Sequence, residues 1–115
     1  MRGAVYELKA PRNAQGHEQR GTRYAVIVQS DDLPLSTCLV APTSTSARHT
    51  TFRPAVEIGG VTTYVMVEQT TTIDPERRLG ARVGYLLAAE MAAVDVALRE
   101  VLGVDVTSPT ERRCR

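Results

Sequence analysis

The chain has few aromatic residues and no long apolar run. Its 115 residues include no tryptophan, one phenylalanine and four tyrosines, so side chains able to stack on planar ligands are scarce. No apolar run approaches the roughly 20 residues that span a bilayer. The first residues show neither the basic nor the apolar region of a signal peptide. These absences predict a cytoplasmic protein that does not bind membranes.

The sequence is also poor in cysteine. Two cysteines, Cys38 and Cys114, are too few for a disulfide framework, and we expect no bridge between them in a reducing compartment. Cys38 lies in an apolar run, which predicts a small buried thiol. No spacing of cysteine and histidine resembles a zinc site. We therefore expect neither a metal nor a cofactor.

The net charge of +1 is too small for nonspecific coating of nucleic acid. The charges are unevenly distributed, however. Between residues 9 and 23 there are four basic residues against the single acid Glu18. Such a segment can bind a few phosphates locally, although a solvated surface loop has the same composition.

The length fits one domain, which we predict at residues 1–104, followed by a polar, disordered tail at 105–115. Apolar patterns predict strands at 3–8, 24–29, 36–42, 52–58, 61–68 with a continuation to 73, and 82–86. The run at 24–29 suits a strand buried on both faces, and Gly59-Gly60 suits a hairpin turn. A helical face is predicted from the spacing of Leu87, Met91, Val94, Leu98 and Val101, ending at Gly103. This order of elements indicates a mostly β, α+β domain.

The most informative stretch runs from residue 16 to 23 and leads directly into the apolar strand. It combines two glycines with His17, Glu18, Arg20 and Arg23. Glycine lets the backbone approach a ligand closely, and arginine matches phosphate oxygens in a two-pronged geometry. Histidine can transfer a proton near neutral pH. These residue types favour phosphate chemistry.

Several short motifs occur along the chain in a specific order. They are Arg2-Gly3 with Val5-Tyr6, the stretch 16–23, Val40-Ala41-Pro42 with the hydroxyl residues after it, Glu68-Gln69 with Thr72-Ile73-Asp74, Val83-Gly84 and the closing amphipathic helix. In this order the chain resembles the MazF/PemK family of toxins over residues 2–103. The resemblance implies a small SH3-like twisted β-barrel of five to seven strands with a C-terminal amphipathic helix, paired as a homodimer. It also implies a metal-independent endoribonuclease that cuts single-stranded RNA at short motifs and is restrained by a cognate acidic antitoxin.

Catalytic roles follow from the resemblance and from side-chain chemistry. We expect Arg23 to bind the scissile phosphate, although an exposed strand-edge arginine is the alternative. His17 is a candidate acid or base, or an exposed loop histidine. Aligning Val-Ala-Pro with the family places Ser44 at the position of the catalytic hydroxyl. A shift of one residue would select Thr43 or Thr45, and turn formation is the alternative role for all three.

Further RNA contacts are expected at Glu18, Gln19, Arg20, Thr43, Thr45, Gln69 and Asp74. Glu18 is favoured to orient an arginine, and Asp74 before Pro-Glu also fits a helix N-cap. Phe52 and Tyr24 are the aromatic residues nearest the site, and core packing is favoured for both.

The chain departs from the family pattern at two positions. Tyr24 replaces the proline that commonly follows Arg23, and Thr71 replaces an arginine. Without that arginine, either fewer positive charges bind the phosphate, or Arg48, Arg53 or Arg77 supplies the missing one. Two rival functions therefore stay open. One is a toxin of the same fold that acts on a topoisomerase, and the other is a non-catalytic barrel that binds nucleic acid or a partner.

Overall fold

The computed structural model describes residues 1–10 and 23–104. Within them the strands are β1 (Ala4–Leu8), β2 (Tyr24–Ile27), β3 (Cys38–Ser44), β4 (Ala55–Ile58), β5 (Val61–Val65), β6 (Thr71–Ile73) and β7 (Leu79–Tyr85). The helices are α1 (Pro75–Arg78) and α2 (Ala88–Leu102), and a 3-10 turn spans Val67–Gln69. None of these helices is long and apolar enough to cross a bilayer. The predicted tail at 105–115 lies outside the described residues.

The strands form one antiparallel sheet in the order β4-β5-β3-β2-β1-β7. Strand β3 is central to the sheet. It pairs with β2 on one side and, on the other side, changes partners along its length. Its first residues pair with β6 from Cys38 to Val40, and its last two, Thr43 and Ser44, pair with β5. The exchange of partners curls the sheet into a half-barrel. This confirms the predicted SH3-like, mostly β fold with a C-terminal helix.

Strand β2 is buried on both faces, as its continuous apolar run predicts. Val26 and Val28 belong to the core cluster that also contains Val94 and Ala97 of α2. Ala25 and Ile27 point to the opposite face, in a smaller cluster. Because successive side chains of a strand alternate between faces, one short strand contributes to two cores.

Helix α2 begins and ends as predicted, with Gly103 in the left-handed conformation at φ +69°. Its buried residues are Val94 and Ala97, however, and the predicted face is wrong at both ends. Leu87 is 69% exposed and Val101 is exposed too. Leu87 precedes the first helical turn and Val101 lies in the last one, so only the middle turns cover the core.

The segment after β5 does not continue as one strand to residue 73. Met66 N still donates to Pro42 O (2.8 Å), and the 3-10 turn then closes with Gln69 N donating to Met66 O (2.9 Å). This turn separates β5 from β6, so the two strands pair with opposite ends of β3. Strand β7 starts at Leu79 rather than Arg82, since bulges let it follow β1 along its length.

Two further expectations are corrected. The predicted strand at 36–42 extends to Ser44, so Thr43 and Ser44 lie on β3 and not in a loop. Cys38 is half-buried rather than buried, because it lies at the first position of β3, and this partial burial raises the pKa of its thiol. Cys114 lies outside the described residues.

Candidate functional site

Arg23, which immediately precedes β2, and Ser44, the last residue of β3, line the same cleft. The pairing of β2 with β3 joins Ile27 to Val40 and Ala25 to Pro42. Arg23 is two residues before Ala25 and Ser44 is two residues after Pro42, so both lie at the same end of the β2–β3 pair. Leu8 N donates to Arg23 O (2.8 Å) and fixes the arginine backbone, while the side chain is exposed. The guanidinium and the hydroxyl can therefore act on one bound group.

The hydroxyl residues at 43–46 do not share one environment. Thr43 is buried and its Oγ1 donates to Tyr24 O (2.9 Å), so this hydroxyl is used inside the fold. Ser44 Oγ accepts a hydrogen bond from Ser46 N (3.1 Å) and lies 3.3 Å from Ser46 Oγ. Thr45 is exposed. Either hydroxyl of the Ser44–Ser46 pair can be the donor, and when Ser46 donates, the Ser44 hydrogen is available to a phosphate oxygen.

Arg23 and Ser44 line a cleft of about 380 Å³ between β3 and the hairpin of β4 and β5. The hairpin turns at Gly59 and Gly60, whose φ angles of +61° and +81° suit a two-residue turn of type I′. The cleft is lined by Arg23, Tyr24, Thr43, Ser44, Thr45, Ser46, Ile58, Gly59, Val61 and Thr63. One side is thus polar and carries the arginine, and the other is aliphatic.

Other predicted site residues lie away from this cleft. Asp74 follows Ile73, which pairs with Cys38. Cys38 is six residues from Ser44 along β3, a distance of about 20 Å in a strand. Asp74 Oδ1 instead accepts a hydrogen bond from Glu76 N (3.1 Å), as expected of an N-cap. Gln69 is exposed on the 3-10 turn and is not among the lining residues.

Four predicted residues fall on the part of the chain that the structure does not describe. They are His17, Glu18, Gln19 and Arg20. Of the informative stretch, Arg23 is therefore described alone. The aromatic prediction is confirmed, because Phe52 and Tyr24 both pack against the core cluster beneath α2. His49 is on the surface, as expected, 5.6 Å from the Tyr64 ring between centroids.

Residues 1–102 match the family model described as PemK-like, MazF-like toxin of type II toxin–antitoxin system. The chain belongs to this family. A Mycobacterium tuberculosis protein named "Putative toxin Rv3098A/RVBD_3098A" is 42% identical over 104 residues, which cover 90% of this chain and 98% of that protein. The MazF/PemK resemblance of the sequence is thereby confirmed.

Solved structures share the fold of this MazF/PemK-family toxin. An endoribonuclease in complex with its cognate antitoxin, from a mycobacterial species, has a TM-score of 0.74 and 21% identity over 93% of this chain and 98% of that one. The Mycobacterium tuberculosis toxin MazF-mt6 has a TM-score of 0.71 and 21% identity over 89% and 98%. At these identities the likeness shows the fold alone.

Thr71 stands where the family commonly has an arginine. The three arginines considered as substitutes differ in the ion pairs that they already form. Arg53 Nε and Nη2 lie 2.9 and 2.5 Å from Glu68 Oε2. These hydrogen bonds lower the pKa of Glu68 and raise that of Arg53. Arg77 Nε lies 3.6 Å from Asp74 Oδ2 in an exposed pair. Arg48 is exposed and forms no ion pair within residues 1–10 and 23–104.

Sequence reasoning missed the Arg53–Glu68 pair and the aliphatic side of the cleft. Arg53 and Glu68 are 15 residues apart, and no local spacing rule connects them. The hairpin at Gly59-Gly60 was predictable, but its position beside β3 was not. Only the length of β3, which lets two different strands pair with its two ends, would have indicated where the hairpin lies. In the described part of the chain no three His, Cys, Asp or Glu side chains are grouped as metal ligands.

Proposed function

We propose that this toxin is a metal-independent endoribonuclease that cuts single-stranded RNA at short motifs and so inhibits translation. The observation that supports this best is that Arg23 and Ser44 both line the polar side of one cleft. A fixed cation beside a hydroxyl donor suits a phosphodiester group, since both can bond its oxygens. The family of the chain supports the same activity.

In the proposed reaction the 2′-hydroxyl of the RNA attacks the adjacent phosphorus. The bond to the leaving 5′ oxygen breaks, which yields a 2′,3′-cyclic phosphate and a 5′-hydroxyl. Arg23 stabilises the charge that builds up on the phosphate oxygens, and Ser44 donates a hydrogen bond to one of them. Arginine is a poor proton donor at neutral pH, so proton transfer is assigned to another group. We propose His17 as that acid or base and Glu18 as a residue that orients an arginine.

The remaining proposed contacts to RNA lie at different distances from the cleft. Thr45 lines the cleft and is exposed, so it can bond RNA close to the cut. Gln19 and Arg20 are proposed to contact the same region, because they precede Arg23 in sequence. Gln69 and Asp74 require an RNA that extends beyond the cleft along the molecule. Thr43 is proposed to contribute through the stability of the strand beneath the RNA rather than through a hydroxyl contact, because its hydroxyl is bonded to the backbone.

We further propose the assembly that the family implies. Residues 1–104 form the toxin domain, which pairs as a homodimer in the cytoplasm. A cognate acidic antitoxin segment orders as it binds and covers Arg23, so that RNA and antitoxin compete for one cation. The exposed side chain of Arg23 is compatible with either partner.

The decisive experiment is cleavage of a long unstructured RNA in excess EDTA, with chemical analysis of the fragment ends. We expect fragments with 2′,3′-cyclic phosphate ends from the wild-type protein and none from Arg23→Ala. Arg99→Ala is the matched control, because Arg99 is an exposed arginine on α2 outside the cleft. Circular dichroism checks that each variant is folded.

Three results would contradict the proposal. Well-folded wild-type protein that cuts none of several long RNAs would favour a non-catalytic or topoisomerase-directed toxin. Cleavage that stops in EDTA would exclude the metal-independent route. An unfolded Arg23→Ala variant would show that Arg23 is structural.

A further inference from the structure

On the aliphatic side of the cleft, the residues at the hairpin turn have no polar side-chain atom that could bond a phosphate. We call Ile58, Gly59 and Val61 the hairpin wall, since they lie at the turn of the β4–β5 hairpin. We propose that the hairpin wall holds the base of one nucleotide next to the phosphate bound by Arg23 and Ser44. The inference rests on the proposed RNA cleavage and adds a subsite to it.

The strand pairing places the hairpin wall at a suitable distance from the phosphate site. Ser44 pairs with Tyr64 of β5, and Val61 lies three residues before Tyr64 on the same strand. Three residues of a strand span about 10 Å. A phosphate at Ser44 and the base of the neighbouring nucleotide can thus occupy the two sides of one cleft.

The hairpin wall offers apolar surface in the place where a base would bind. Val61 is 52% exposed and supplies the accessible aliphatic surface, whereas Ile58 is buried in the core cluster behind it. A base has flat apolar faces that gain from leaving water against such side chains. The cleft volume of about 380 Å³ is at the small end of ligand pockets, which suits one nucleotide rather than several.

The buried hydroxyls of the cleft are already bonded to the backbone. Thr43 Oγ1 donates to Tyr24 O (2.9 Å), and Thr63 Oγ1 donates to Val61 O (3.0 Å). Neither presents a free donor to a base edge. The subsite therefore selects its base by shape and apolar contact rather than by a fixed pattern of donors and acceptors. Hydrogen-bond readout is left to residues outside the hairpin wall.

The test combines one substitution with abasic RNA. Cleavage mapping on long RNA first gives the preferred site, and short RNAs are then made abasic at each nucleotide flanking the cut. Val61→Thr keeps the shape of the side chain but replaces a methyl group with a hydroxyl. We expect it to raise KM about fourfold on intact RNA with kcat unchanged, the result of losing one apolar contact. On RNA abasic at one particular position, wild type and variant should have equal KM, because the contact is already absent.

Val96→Thr is the matched control, since Val96 is 57% exposed on α2 and does not line the cleft. It should leave KM unchanged on every RNA. Val61→Ala is the second variant and should show the same coupling to the same nucleotide. A KM for Val61→Thr equal to wild type on intact RNA overturns the inference, as does a rise in KM that persists at every abasic position. In both cases RNA cleavage itself stands. Wild-type protein that neither binds nor cuts RNA overturns the inference and the proposed function together.

Discussion

Thr43 and Ser44 are adjacent hydroxyl residues on β3, but their side chains point to opposite faces. Both line the cleft, but Thr43 Oγ1 donates to Tyr24 O inside the fold, whereas Ser44 is half-exposed in the cleft that Arg23 also lines. The sequence leaves the alignment of residues 43–45 open. Because the Thr43 hydroxyl is already bonded to Tyr24 O, Ser44 stays the residue that we propose to contact phosphate.

Substitutions at these two positions should separate catalysis from stability. Ser44→Ala should lower kcat about 100-fold, the usual cost of one lost donor to transition-state charge. Its melting temperature should fall only slightly, because the bond lost from Ser46 N is exposed to solvent. Thr43→Val should keep kcat and lose about 1 kcal/mol of unfolding free energy, because the bond to Tyr24 O is gone. Single-turnover cleavage and urea unfolding measure the two effects. Thr43→Ser, which keeps Oγ1, is the control, and a large kcat loss in Thr43→Val would contradict this division of roles.

The Arg53–Glu68 pair should make stability depend on pH in the acid range. Its hydrogen bonds hold the pKa of Glu68 below the ordinary value of 4.5. Such a carboxylate stabilises the folded protein fully above pH 4.5, and the contribution is lost as pH falls through the lowered pKa. Glu68→Gln should therefore lower the free energy of unfolding near neutral pH. It should also make that free energy depend less on pH below 4.5.

Urea unfolding between pH 3 and 7 measures this dependence. Glu57→Gln is the control, because it removes an exposed carboxylate of β4 that forms no ion pair in residues 1–10 and 23–104. It should follow the wild-type curve. A Glu68→Gln curve parallel to wild type would show that the ion pair carries no pH-dependent stability.

At the scale of elements, the hairpin of β4 and β5 carries two glycines with different surroundings. Both have positive φ, and added Cβ atoms at Gly59 and Gly60 would meet nothing within 4 Å. Gly59 lines the cleft, whereas Gly60 does not. Asparagine tolerates this backbone region better than other side chains, so it can be placed at either position.

Gly59→Asn should therefore change RNA cleavage more than Gly60→Asn. We expect Gly59→Asn to raise KM and shift the preferred nucleotide next to the cut, because its amide enters the mouth of the cleft. Gly60→Asn should keep the wild-type preference. Sequencing of the fragments from a random RNA pool measures both. Equal effects of the two substitutions would assign them to the turn and not to the cleft.

The elements that sequence predicted well are the ones that depend on local patterns. The turn at Gly59-Gly60, the cap at Asp74 and the end of α2 at Gly103 each follow from a few neighbouring residues. The two-step pairing of β3 does not, since it depends on which strand lies beside Val40 and which beside Ser44. The site shares this limit. Arg23 is proposed from its sequence motif, whereas the hairpin wall depends on tertiary pairing.

At the scale of the whole molecule, α2 covers one face of the sheet and is also tied to the hairpin. Glu90 Oε1 accepts a hydrogen bond from Leu87 N (2.8 Å), and its Oε2 accepts one from Glu57 N (2.9 Å). The same helix buries Val94 and Ala97 in the core. Helix α2 thus contributes in two separate ways: its buried side chains pack in the core, and Glu90 holds the hairpin through the backbone of Glu57.

Two valines of α2 test whether packing alone affects the cleft. Val94 is fully buried and Val96 is 57% exposed, so Val94→Ala should cost about 2 kcal/mol of unfolding free energy and Val96→Ala nearly none. Val94 does not line the cleft, so kcat/KM for RNA should be unchanged in both variants well below their melting temperatures. Urea unfolding and cleavage assays at one low temperature measure the two quantities. A fall in kcat/KM for folded Val94→Ala would instead mean that helix packing reaches the hairpin wall, with the Glu90–Glu57 bond as its route.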